Sequence, residues 1–146
     1  MRLDYDLMPE LKLGGYTQAA DFSYGTRARH GLNVRYTTEQ YYVRVEAAMQ
    51  SANNDTLKSN GIVAEAGYNY EKWQPVAHFE TYNPNTSATV SGKAITLGVN
   101  YYINKHKAKV QLAATDLIDM SALNGTPSVA SGSKGTVMYL AFSSSL

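Results

Sequence analysis

Cysteine is absent from this chain of 146 residues, which removes disulfide frameworks, thiolate zinc sites and cysteine nucleophiles together. A surplus of charge of either sign is missing too. Thirteen Lys plus Arg stand against twelve Asp plus Glu, a formal net charge of +1. Such a balance gives no electrostatic reason to expect a nucleic-acid partner or a polybasic membrane-surface sensor. No run approaches the ~18 consecutive apolar residues of a membrane-spanning helix. No cleavable leader is legible, because Met1 runs into Arg2-Leu3-Asp4-Tyr5-Asp6-Leu7 without an apolar core segment. Mean hydropathy is −0.34. By these averages the chain is one soluble, cytosolic domain.

What the chain does have is tyrosine. Aromatics are 11% of residues, with 12 Tyr against 3 Phe and 1 Trp. Tyrosine joins an apolar body to a wet tip and suits an interface better than a dry core. Helical periodicity is nearly absent, while period-2 alternation recurs over eight to eleven residues. Tyr41, Val43, Val45, Ala47 and Met49 oppose Tyr42, Arg44, Glu46, Ala48 and Gln50. Ile95, Leu97, Val99, Tyr101 and Ile103 oppose Thr96, Gly98, Asn100 and Tyr102. Ile62 to Tyr70 and Ala108 to Thr115 behave alike. A helix would scatter these sets around its axis, whereas a strand sorts them onto two faces.

Short turns are expected at Met8-Pro9-Glu10, at Thr37 to Gln40, at Glu71-Lys72 and at Asn104 to Lys107. Long polar loops are expected between them, near residues 20–28, 51–59, 83–92 and 118–134. Strands that run up and down then place short turns at one end and long loops at the other. Residues flanking a hairpin turn must share a face. Leu7 with Leu11, Tyr36 with Tyr41, Tyr70 with Trp73, and Ile103 with Ala108 all fall on the apolar face. Aromatics crowd the short-turn ends of that face at Tyr36, Tyr41, Tyr68, Tyr70, Trp73 and Tyr101. A girdle of this kind marks the membrane–water boundary of a transmembrane β-barrel. The expected fold is therefore all-β, an antiparallel transmembrane barrel, preferred over a soluble β-sandwich. Low hydropathy follows, because only alternate residues meet lipid.

Residues 72–84, Lys72-Trp73-Gln74-Pro75-Val76-Ala77-His78-Phe79-Glu80-Thr81-Tyr82-Asn83-Pro84, together with 95–104 and 105–112, resemble the late strands of the phosphate-selective porin O/P family. Val137-Met138-Tyr139-Leu140-Ala141-Phe142 resembles the aromatic-ended closing strand of outer-membrane proteins, although four residues trail beyond Phe142. The resemblance covers roughly residues 60–142. It implies a sixteen-stranded barrel, trimeric in assembly, in the outer membrane of a Gram-negative bacterium. There it would pass small hydrophilic solutes and ions, with anions such as phosphate preferred. The basic residues that carry phosphate selectivity in that family have no counterpart legible here, because no run of lumen-facing basic residues appears along the chain.

Nine candidate strands are expected, at about 2–7, 11–19, 29–36, 41–50, 61–70, 73–82, 93–103, 108–117 and 135–142. Single-chain bacterial barrels have even strand numbers, so residues 1–146 read as the C-terminal portion of a larger barrel. The alternative merges or discards residues 2–7 and leaves a small closed eight-stranded barrel with a structural or adhesive role. The expected pore lining is Arg35, Arg44, Glu46, Glu65, Glu80, Asn100, Lys109 and Gln111, with Arg35 and Arg44 as an anion-attracting pair. Loop 118–134 is a candidate constriction.

No catalytic set, metal site or cofactor is expected. His30, His78 and His106 offer only the same-face pair His78 and Glu80, which is more often structural than a ligand set. Gly14-Gly15 interrupts a strand pattern, where a bulge or kink is the usual use. The Asn-x-Ser/Thr triplets at Asn54, Asn85 and Asn124 fall in expected loops and reflect polar loop composition. The expected partners are outer-membrane lipid and small solutes.

Overall fold

The computed structural model describes residues 1–22, 25–52, 57–85, 90–103, 108–119 and 135–144. Nine strands are present: β1 (Arg2–Met8), β2 (Leu11–Phe22), β3 (Gly25–Thr37), β4 (Tyr41–Ala52), β5 (Leu57–Tyr68), β6 (Trp73–Asn85), β7 (Val90–Tyr102), β8 (Ala108–Asp119) and β9 (Gly135–Ser144). They form one sheet in sequence order, each strand antiparallel to the next. Residues 2–8 are a full member of it, running from Arg2↔Tyr16 to Met8↔Leu11, so the reading that discards them is wrong. Among the described residues β9 pairs only with β8 and β1 only with β2, which leaves the sheet open at both edges.

Three of the four expected long loops are instead the arms of extended hairpins. Pairing continues to Phe22↔Gly25, Ala52↔Leu57 and Asn85↔Val90. The physical reason is that a backbone ladder does not need apolar side chains: polar residues in water pair just as well. Composition therefore marked where the apolar stripe ends, and the strands run past it. Gly25 at one of these hairpins has φ 129°, a conformation that glycine adopts without strain. Residues 120–134 of the expected constriction loop, His106, Asn54 and Asn124 lie outside the described residues, while Ile118 and Asp119 belong to β8.

The register sorts the side chains as the alternation required. Tyr36 pairs with Val43, Val34 with Val45 and Leu32 with Ala47 on one face, while Arg35 pairs with Arg44 and Asn33 with Glu46 on the other. What departs from an ordinary soluble protein is which face is covered. Along β4, Tyr41, Val43, Val45, Ala47 and Met49 are exposed, whereas Tyr42, Glu46, Ala48 and Gln50 are partly shielded. Leu32 is 72% exposed, Leu97 61% and Leu140 73%. Among the described residues the buried hydrophobics are only Ala94 and Ala113, and both sit on the polar face. The accessible surface is 10267 Å², against about 7,400 Å² for a compact soluble chain of this mass. The large apolar side chains of one face are thus left uncovered rather than gathered into a core.

The apolar belt is slanted across the sheet. Its lower edge is Tyr36 on β3, steps down one pair to Tyr41↔Tyr68 on β4 and β5, and steps again to Trp73↔Tyr101 on β6 and β7. Its upper edge moves the same way, from Thr17↔His30 to Ile95↔Asp116 and Asp116↔Thr136. A belt that crosses the hydrogen-bond rows obliquely is the stagger of strands tilted with respect to it.

The tight turn between β5 and β6, closed by the bridge Tyr70↔Trp73, holds Glu71 at φ 54°. A non-glycine residue there is strained by roughly 1 kcal/mol. Glu71→Gly is expected to raise the urea midpoint of the protein, equivalent to about 0.5–1 kcal/mol, with an unchanged far-UV spectrum.

Candidate functional site

The polar face carries the chemistry, and its rows are set by register. One row runs Asp6, Lys12, Arg35, Arg44, Glu65, His78, Thr96 and Thr115 across β1 to β8, each residue paired with the next. Lys12, Arg35 and Arg44 therefore stand side by side. This corrects the expectation that no basic run exists: the run lies across strands, where spacing along the chain hides it. Like charges placed directly opposite repel, and the outer two are drawn aside. Lys12 approaches Asp6 at 3.3 Å and Arg44 donates to Glu46 at 2.7 Å. Arg35 is exposed and has no ion pair within 4 Å among the described residues.

Arg27 and Arg29 lie on the same face of β3. Strands β2 to β4 thus present Lys12, Arg27, Arg29, Arg35 and Arg44 against Glu46, while β5 and β6 present Glu65 and Glu80 around His78. The charges that composition shows as balanced are separated laterally. His78 contacts Glu65 through Nδ1 and Glu80 through Nε2, each at 3.4 Å. The two carboxylates approach opposite ring nitrogens, so they do not converge on one point as metal ligands do. Tyr42 lines the same concavity as Glu65, from the adjacent strand.

Nearer the turns, side-chain amides tie three strands together. Gln74 donates to Asn69 at 2.7 Å and accepts from Asn100 at 2.8 Å and from Tyr102 at 2.9 Å. Gln111 then donates to Asn100 at 2.8 Å. Higher on the same face the Thr96 and Thr115 hydroxyls meet at 2.7 Å.

Of the expected lining residues, Glu65, Asn100, Lys109 and Gln111 surround one concavity of about 410 Å³. Glu46 and Glu80 belong to a second depression further from the turns, and Arg35 and Arg44 form the row beside Lys12. All eight share the polar face. The six girdle aromatics share the opposite one: Tyr41 pairs with Tyr68, and the rings of Tyr36 and Tyr41 lie 5.8 Å apart and those of Trp73 and Tyr101 4.6 Å apart. Sequence reasoning missed Lys12, Arg29 and Gln74. Lys12 was within reach, since it follows Leu11 at the first hairpin and shares the parity of Arg35. Gln74 carried no signal, because its role comes from three partners as distant in sequence as Tyr102. His30 hydrogen-bonds Thr17 at 2.9 Å on the apolar face, away from these groups.

Compared with protein-family models, curated proteins and solved structures, the chain matches none. The porin O/P resemblance thus rests on the residues quoted for it.

Replacing Gln74 with Leu removes the acceptor shared by Asn100 and Tyr102. Leaving the partly buried Asn100 amide without its acceptor costs about 1–3 kcal/mol. The denaturant midpoint of Gln74→Leu is expected to fall accordingly, with amide exchange accelerated in β6 and β7 before β2 and β3.

Proposed function

We propose that this chain forms part of an outer-membrane β-barrel of a Gram-negative bacterium, a porin-type channel that passes small hydrophilic solutes by diffusion and favours anions. The observation that carries this reading is the sorting of the two faces: large aliphatic and aromatic side chains stand exposed on one, and charged and amide groups gather on the other. An apolar face spanning nine strands far exceeds the few hundred Å² that a soluble monomer exposes. Lipid is the natural cover for it, with the Tyr and Trp band at the headgroup level. The dimensions agree. Tyr41 to Met49, and likewise Ile95 to Ile103, is eight residue steps, about 27 Å along the strand. At a tilt of about 40° that is about 21 Å in height, close to the ~25 Å apolar band of such barrels.

The open edges favour membership of a larger barrel over a closed eight-stranded one. β1 and β9 are both odd members of an up-and-down sheet and run in the same direction. Closing the sheet with antiparallel pairs therefore takes an odd number of further strands, which makes the total even.

Transport in this reading needs no catalysis. Rigid strands hold Lys12, Arg35 and Arg44 in a water-filled space, and their summed potential raises the local anion concentration. Glu65 and Glu80 on the neighbouring wall limit that preference, and Lys109 adds to it. Conductance is best measured on the full encoded protein in planar bilayers. Arg35→Glu combined with Arg44→Glu is expected to move the reversal potential under a salt gradient toward cation selectivity. An unchanged potential sinks the assignment of these residues.

Two neighbouring substitutions test the faces directly. Leu97→Arg on the apolar face is expected to cost about 2–4 kcal/mol in lipid, whereas Thr96→Arg on the polar face is tolerated. Equal tolerance of both in bilayers would show that lipid does not cover the apolar face.

A further inference from the structure

The second depression on the polar face has a form that the cation row does not explain. One row there reads Tyr16, Gly31, Ala48, Gly61, Tyr82 and Gly92 across β2 to β7. Two tyrosines are separated by residues with almost no side chain. Both rings lean inward: a Cβ at Gly31 would overlap the Tyr16 ring, and one at Gly61 would lie 3.6 Å from the Tyr82 ring. The rings therefore overhang β3 and β5 and leave the floor at Ala48 open. Two strand spacings, about 10 Å, separate them, and the depression holds about 480 Å³.

Polar groups converge on it from both ends. Arg29 and Gln50 stand on the side away from the turns, joined by a 3.0 Å hydrogen bond. Glu46 and Glu80 stand on the turn side, held at 2.7 Å by Arg44 and at 3.4 Å by His78. Among the lining residues Arg29 and Lys93 balance Glu46 and Glu80, so these four charges give no net pull on an ion. Their neighbours fix them as donors and acceptors. Planar guanidinium, carboxylate and amide groups each engage two adjacent hydroxyls. An aromatic ring with one face open takes the C–H face of a sugar ring. Two aromatic walls, a smooth floor and a rim of neutralised planar groups suit a polyhydroxylated ring better than an ion.

We propose that this trough is a binding site for a neutral mono- or disaccharide, lying between Tyr16 and Tyr82 with its hydroxyls on Arg29, Gln50, Glu46 and Glu80. The proposal rests on the reading that the polar face meets water, and it names the solute class of that face.

The test is calorimetric titration of the full encoded protein in detergent with maltose, alongside glycylglycine and inorganic phosphate, and it requires no conductance. Maltose is expected to bind in the millimolar range. Tyr16→Ala and Tyr82→Ala are each expected to weaken it roughly tenfold, while Tyr82→Phe retains binding. Ala48→Leu, which fills the floor, is expected to abolish binding with an unchanged far-UV spectrum, and Ser143→Ala on β9 leaves it intact. A protein that binds maltose but does not conduct ions upholds this site and overturns the channel. One that conducts but shows no maltose heat, that binds glycylglycine and not maltose, or that binds equally well as Ala48→Leu overturns the saccharide site.

Discussion

A pleated strand turns alternate residues to opposite faces, so the backbone ladder that fixes register fixes every other property of this sheet. A slip of one residue between β3 and β4 would carry Arg44 to the side of Val34 and Val45 to the side of Arg35. The register shifts that do occur fall close to strand ends, between Asp6 and Met8, between Tyr82 and Asn85, and at Lys93 and Ala94. Through the middle of the sheet the pairing is continuous. Two surfaces of opposite overall character thus stand back to back.

Such a sheet cannot be held by a core in the usual sense. Ala94 and Ala113 are small, and the large apolar groups face outward. Cohesion within the sheet comes from the backbone ladder and from polar side-chain ties such as Gln74 with Asn100 and Tyr102. The remaining free energy must come from whatever covers the apolar face. Glycines help to shape the other side. At Gly98 a Cβ would come within 2.9 Å of Ala113 Cβ and 3.1 Å of the Leu112 carbonyl, so β7 and β8 approach closely just where one concavity needs its floor.

Register also converts a balanced composition into a structured field. Lys12, Arg35 and Arg44 come from three different strands, while Glu65 and Glu80 occupy the next two. Between the charged rows, tyrosine and glycine positions alternate across strands and leave hollows. One polar face carries both charged rows and hollows because pleating returns a side chain to it at every second residue.

Much of this was legible in the chain. Strand identity, the sorting of residues onto two faces, the grouping of Tyr36, Tyr41, Tyr68, Tyr70, Trp73 and Tyr101, and the shared face of Arg35 and Arg44 all follow from period 2 and short turns. These are local properties, and a hairpin turn transmits parity directly from one strand to the next. Strand ends were not legible, because backbone pairing continues through polar residues such as Ser51 and Lys58 that look like loop. Nor was the cation row, the amide tie at Gln74, or the Tyr16 and Tyr82 trough. Each joins residues from three or more strands, and their alignment depends on the accumulated stagger of every intervening hairpin. The sequence by itself determined which face each side chain occupies, since that is set by its own strand. Only the assembled sheet decided which side chains share a row, since that is set by all the strands between them.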